Sequence, residues 1–311
     1  MHASDPPSAS PSPAPAARPV RHVACELTFS VEEHATLAVQ VAAAGTAGPR
    51  LDERLVVTVD GAPPHRPVAE VAATHGGRIH VVHAPAGELR ISYAASVAGA
   101  DVPDLGSGRR AADRGVDGPV DAGDLGVDGP VDAEVLAALR QSRYCPSDEL
   151  AGWASTGLAH LPDGPDLARR IGGWVHDHLD YVLGVSRPVD TAVDTLLAGA
   201  GACRDFAHLT AALCRARGVP ARVVAVYAPG LAPMDFHAVV EARTPAGWEL
   251  VDATRLAPRP SLVRIATGRD AADTAFATTL RGAAELTTTE IRAVVDGDLP
   301  VDDHGAPVAI A

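Results

Sequence analysis

Cys203, His237 and Asp252 occur in that order along the chain, and a thiol, an imidazole and a carboxylate are the parts of a thiolate nucleophile with its own acid–base partner. Cys203 sits in Gly199-Ala-Gly-Ala-Cys203-Arg-Asp-Phe, a small-residue turn running into a predicted helix. A thiol with an ordinary pKa of about 8.5 attacks well only as thiolate. The first turn of a helix favours the anion through the helix dipole. Unpaired backbone N–H groups there can also stabilise an oxyanion on an attacked carbonyl. The tiny side chains before Cys203 would let a substrate backbone come close. Taken alone, this stretch fits a buried structural cysteine equally well.

The partners tip the balance. His237 opens the strand His-Ala-Val-Val-Glu-Ala-Arg, Thr244-Pro-Ala-Gly247 turns, and Trp248-Glu-Leu-Val-Asp-Ala-Thr254 returns. A two-residue loop at Pro245-Ala246 pairs Val239 with Asp252 and His237 with Thr254. His237 and Asp252 then become diagonal neighbours on one face. Asp252 can hold one imidazole nitrogen and leave the other for the thiol. All 26 basic residues are Arg, and the chain has neither Lys nor Asn. A Cys-His-Asn set is therefore impossible, and the enzyme has no lysine amine of its own to serve as acyl acceptor.

Other reactive types weigh less. Cys25 lies on an apolar strand face, where a core role is expected. Cys214 stands three helical turns beyond Cys203, roughly 16 Å along the axis, too far to act as a resolving thiol. His176 and His178 are two apart on a helix and face different ways, and His80 and His83 are expected to sit in the β unit without acidic partners. Arg204 and Asp205 flank the nucleophile, with a structural ion pair and a substrate contact both open for Asp205. The four cysteines (Cys25, Cys145, Cys203, Cys214) show neither C-x-x-C nor zinc-ligand spacing. No metal or cofactor is called for.

Strand-like apolar runs at 22–31, 37–41, 55–59, 79–82 and 89–97 predict a small antiparallel β-sandwich over 21–99. Residues 1–20, rich in Pro, Ala and Ser, read as a disordered tail. Residues 100–131 read as a flexible Gly/Asp/Pro-rich insertion. It contains Gly115-Val-Asp-Gly-Pro-Val-Asp-Ala122, repeated unchanged as Gly126–Ala133. Two such copies cannot stack into a solenoid, and they lack the EF-hand calcium pattern. From Asp132 the pattern turns helical. Asp132 and Asp166 are candidate caps, and Thr191-Ala-Val-Asp194 is a capping box. A helix over 203–217 ends at Gly218 and Pro220, and strands follow at 222–227, 237–243 and 248–254. Helices first and strands afterwards make 132–295 an α+β catalytic domain, with 296–311 a C-terminal tail.

A net charge of −13 disfavours nucleic acid and anionic membranes as partners. No stretch approaches the ~20 apolar residues of a membrane span, and no secretory signal is evident in the first residues. A cytoplasmic, reducing setting suits the free thiols.

The string Gly201-Ala-Cys-Arg-Asp-Phe-Ala-His-Leu209, then Met234-Asp-Phe-His-Ala238, then Trp248–Thr254 resembles the bacterial transglutaminase-like superfamily. Ser142–Asp148 and Ala266–Asp273 are similar to members of the same branch. The resemblance covers roughly 135–295, and the β-rich N-terminal unit more loosely. It implies a papain-like core, helices packed on an antiparallel sheet, with Cys203 as nucleophile, His237 as general base and acid, and Asp252 as orienting carboxylate. Animal cross-linking enzymes carry Trp after the cysteine, where Arg204 stands here, and their calcium sites are not seen. The expected activity is therefore hydrolysis of a peptide or amide through a thioester on Cys203, with a peptide or protein amide as substrate. Transfer to an amine and a non-catalytic peptide-binding scaffold are the alternatives. Oligomeric state is not legible.

Overall fold

The structure, a computed structural model, describes residues 19–99 and 132–311. The expectations for the tail, save its last two residues, and for the 100–131 insertion lie outside these. The chain opens with strands β1 (Arg21–Val39), β2 (Arg50–Val59), β3 (Ala69–Ala72) and β4 (Arg78–Val97). It continues through α1 (Ala133–Leu139), α2 (Ser147–Gly157), α3 (Leu167–His178), β5 (Asp180–Tyr181), α4 (Ala192–Ala198), β6 (Ala200–Gly201) and α5 (Cys203–Ala216). Then come β7 (Ala221–Tyr227), β8 (Phe236–Thr244), β9 (Gly247–Val251), β10 (Val263–Gly268), α6 (Ala271–Thr274), β11 (Ala277–Gly282) and β12 (Glu285–Val295). This is the α+β class expected.

The N-terminal β unit differs from expectation in its make-up. Runs 22–31 and 37–41 merge into β1 because the polar Glu32-Glu33-His34 step is absorbed in a bulge between Val31 and His34. The strands form one continuous antiparallel sheet, six strands in all. Two of the six, β11 and β12, come from residues assigned by sequence to the catalytic segment 132–295. They pair along β1 and so cover backbone groups that an open edge would leave bare. Local alternation cannot reveal a pairing partner some 250 residues away. Residues 296–311 are likewise docked instead of trailing. Leu250 N–H donates to Val308 O at 2.7 Å, and Arg259 grips Asp302 through Nε and Nη2, both at 2.8 Å.

A second, four-stranded antiparallel sheet runs β10-β7-β8-β9. On one face Val223, Val240, Ala242 and Val251 pack against α2, α3 and α5. On the other, Val224, Val226, Val239 and Leu250 cluster with Ile310. Tyr227, Val263 and Ile265 join the core of the N-terminal sheet, so one apolar cluster ties the two units together. α5 is buried on all sides from Asp205 to Arg215, as a helix enclosed by a sheet and three other helices must be.

Of the three helix starts whose caps were read from the sequence, two form as expected. Asp132 Oδ1 accepts from Val135 N–H at 2.9 Å, and the Thr191–Asp194 box forms. Asp166 makes no cap bond; its carboxylate pairs with Arg170 at 2.7 Å. Sequence reading missed α2, whose Gly and Ser/Thr content dilutes the apolar periodicity carried by Leu150 and Ala154. The segments 142–148 and 266–273 meet at one side of α5. There Tyr144 N–H donates to Asp270 Oδ2 at 2.8 Å, and Arg215 Nη1–H to Ser142 Oγ at 3.0 Å. The Tyr144 ring stacks on His208, whose burial lowers its pKa to about 4 and keeps it neutral.

Gly172 lets α3 lie directly on the end of β9, since a Cβ there would sit 2.4 Å from Val251 Cγ1. Gly172→Ala gains about 1 kcal/mol of helix propensity but incurs about 1–3 kcal/mol of overpacking against a β-branched neighbour. A net loss of stability in urea unfolding is expected. Unchanged stability would show that β9 moves aside freely.

Candidate active site

The turn into α5 is built around a buried carboxylate. Asp205, 1% exposed, accepts from Ala202 N–H at 2.8 Å, Ser186 Oγ–H at 2.5 Å and the Arg204 guanidinium at 3.0 Å. Gly201 is required because a Cβ there would meet Asp205 Cβ at 2.6 Å. Of the two roles open for Asp205, the structure supports the structural one. It caps the helix and fixes the backbone that carries the thiol. Arg204 also donates to Arg187 O at 2.8 Å, so both residues after Cys203 bind the 186–187 segment to the start of α5.

Cys203, at the first position of α5, is partly exposed, whereas Cys25, Cys145 and Cys214 are buried. Its Sγ lies 4.0 Å from Phe236 O, which brings the thiol to the beginning of β8, beside His237. The hairpin closes in the register read from the sequence, with Thr244 opposite Gly247 and Val240 opposite Val251. That register sets His237 and Asp252 diagonally on one face. His237 Nε2 hydrogen-bonds Asp252 Oδ2 at 2.9 Å, both side chains being fully buried. Nδ1 is buried with no hydrogen-bond partner among the described residues and is the nitrogen left for the thiol.

Electrostatics follow from this burial. Desolvation alone would lower the His237 pKa, but the Asp252 charge and hydrogen bond, reinforced by Cys203, reverse it and raise the value to about 10. Desolvation works against the Asp252 carboxylate too, yet His237 and Thr254 hold its pKa below the ordinary value. Thr254, not singled out from the sequence, donates Oγ1–H at 2.7 Å and N–H at 2.9 Å to Asp252 Oδ1. This leaves Oδ2 for the imidazole. An Asp-x-Thr step, in which a hydroxyl two residues on returns to the carboxylate, was the signal available. Tyr181, also missed, lies beside Cys203, and burial followed by the thiol's charge raises its phenol to about 12.

The remaining candidates stay outside the site. Cys25 belongs to the N-terminal core, and burial raises its thiol to about 11. His176 Nδ1 bonds Ala253 O at 3.0 Å, and His178 Nδ1 bonds Trp174 O at 2.7 Å. His80 does have an acidic partner, contrary to expectation: strand pairing of β3 with β4 brings Glu70 Oε2 to 3.1 Å from its Nε2. Among the described residues no group of three or more His, Cys, Asp or Glu is arranged to hold a metal ion, and no helix is long and apolar enough to cross a membrane.

Similarity to other proteins converges on the same segment. The model of the transglutaminase-like superfamily matches residues 154–253, which contain Cys203, His237 and Asp252. An uncharacterized protein of Mycobacterium leprae (strain TN), ML0607, is 31% identical over 110 residues. That match covers 33% of this chain and 39% of the relative, so the chain aligns with well under half of that protein's length. A crystal structure from Cytophaga hutchinsonii, provisionally described as a cysteine protease, is 30% identical, with a TM-score of 0.77 over 93% of this chain and 95% of that one. Agreement in sequence and in three dimensions over nearly the full length of both chains places this protein in the transglutaminase-like superfamily.

Proposed function

We propose that this protein is a cysteine-dependent enzyme that cleaves peptide or amide bonds by hydrolysis, with Cys203 as nucleophile, His237 as general base and acid, and Asp252 as the orienting carboxylate. The observation that carries the reading is the buried His237–Asp252 pair at 2.9 Å, with Nδ1 left unpartnered beside the thiol. In the first step Cys203 Sγ bonds to the amide carbonyl carbon while His237 holds the thiol proton. The oxyanion faces the backbone N–H groups at the start of α5, where the Cys203 N–H meets the Tyr181 phenol oxygen. The C–N bond then breaks, and His237 Nδ1–H protonates the departing amine, leaving a thioester. Water, losing a proton to His237, adds to the thioester carbonyl. Collapse expels the Cys203 sulfur, which regains its proton, and frees the carboxylic acid. Neither metal nor redox cofactor takes part in this scheme. Four unpaired cysteines among the described residues suit a reducing compartment such as the cytoplasm.

Water is favoured over an amine as acceptor because Arg204, where cross-linking relatives carry Trp, is turned to the 186–187 segment. Reaction in 18O-labelled water with and without added primary amine separates the two. Labelled carboxylate as the main product in both conditions is expected. Amine adducts without labelled acid would instead assign transamidation.

A further inference from the structure

Six exposed apolar residues, four at 181–185 and two on the segments flanking the β8–β9 hairpin, present apolar surface that has no role in the scheme above, and their placement speaks to the substrate. The stretch Tyr181-Val-Leu-Gly-Val185 exposes four large apolar side chains in five positions: Tyr181 37%, Val182 43%, Leu183 61% and Val185 49% exposed. Single exposed apolar residues are ordinary, but a contiguous set marks a contact surface. This set is held in place, and all its anchors are on the nucleophile segment. On one side Val182 N–H donates to Gly201 O at 2.9 Å. On the other, Ser186 Oγ–H donates to Asp205, and Arg187 O accepts from Arg204. A turn pinned at 182 and at 186–187 thus carries Leu183 and Val185 between its anchors, with Tyr181 beside the thiol.

Two further exposed apolar residues, Met234 (45%) and Leu256 (37%), lie on the segments that lead to the other members of the site. Met234 precedes Asp235, whose charge reaches the Tyr181 phenol. Leu256 N–H bonds Thr254 Oγ1 at 3.3 Å, at the corner that holds Asp252. Apolar side chains therefore come from the turn pinned to the nucleophile segment and from the segments that lead to His237 and Asp252. Water-exposed apolar surface gives the free protein nothing, whereas covering it with an apolar ligand is favourable.

Resting on the hydrolase reading for the identity of the reacting centre, we propose that the 181–185 turn, with Met234 and Leu256, is the specificity surface of that centre. Its occupant is a peptide with bulky apolar side chains next to the amide presented to Cys203. Acidic and small polar sequences are poor substrates. This also gives Arg204 and Asp205 a second consequence, since they hold the selecting turn at a set distance from the nucleophile.

Binding, measured apart from turnover, tests the surface. Fluorescein-labelled octapeptides with Leu or Phe flanking the central amide are titrated against Cys203→Ala protein by fluorescence anisotropy, beside the same peptides with Ser or Asp. The apolar set is expected to bind at least about tenfold more tightly, a ratio typical of a modest apolar contact surface. Leu183→Ser/Val185→Ser in the Cys203→Ala background is expected to bring the ratio close to one. Both substituted side chains are exposed, so an unchanged thermal midpoint checks the fold. Equal binding of both peptide sets, or a ratio untouched by the double substitution, overturns the proposal even if the wild-type protein cleaves peptides. Apolar preference in binding without cleavage by the wild type would sustain the surface and remove the hydrolase reading.

Discussion

Cys203→Ala is expected to reduce peptide turnover by at least about 10⁴-fold, the scale on which loss of one member disables a nucleophile–base–orienter unit. The other thiols cannot stand in. Burial pushes Cys25 up to about 11, and Cys145 and Cys214 to about 12, so each is protonated and enclosed at neutral pH. Iodoacetamide at pH 7 is accordingly expected to alkylate Cys203 and to leave Cys25, Cys145 and Cys214 unmodified, as read by peptide mapping. Cys203→Ser with full turnover, or labelling of Cys214 as fast as Cys203, would sink the assignment.

Asp252→Asn should come next in size, with a loss of about 10⁴-fold in kcat expected from a misoriented imidazole in the wrong tautomer. The same substitution has a signature in stability that a purely catalytic role would not produce. The His237 pKa is about 10 in the folded protein against an ordinary 6.5. A raised folded value means stabilisation that is complete below pH 6.5 and is lost as pH rises toward 10. The Asp252 value is lowered from 3.8, so its contribution is present above that pH and lost as pH falls. The pair therefore stabilises the fold most between those two ordinary values. Breaking a buried pair by removing one charge costs about 3–5 kcal/mol. Wild-type protein should lose stability between pH 7 and 10 in urea titrations, and Asp252→Asn protein should start lower and show little of that slope. Parallel pH profiles would mean that the pair is not charged in the folded state.

The geometry of the candidate site was largely legible because its parts are local in character. A small-residue turn before a helix placed Cys203, and a two-residue hairpin loop converted sequence distance into the His237–Asp252 register. Both depend on short-range geometry that residue types declare. Thr254, Tyr181 and the Asp205 brace were not found, or were left open. Their roles lie in which atom of one side chain reaches which atom of another, and spacing alone does not rank such contacts.

Long-range pairing was the harder part. The alternation of β1 announced a strand with one apolar face, but an apolar face has no address. Its backbone partners, β11 and β12, lie in residues that the sequence reading grouped with the helical segment. The docked 296–311 segment escaped notice for the same reason, because its hold on β9 rests on Arg259–Asp302 and on backbone bonds. By itself the sequence determined the helix start, the hairpin register and the residue types able to do thiol chemistry, all set by dihedral preference and nearest neighbours. Only the tertiary structure decided that Cys203 meets His237, that Nδ1 is the nitrogen left open, and that an apolar turn is pinned beside them. Those are outcomes of burial, which depends on how every element packs at once.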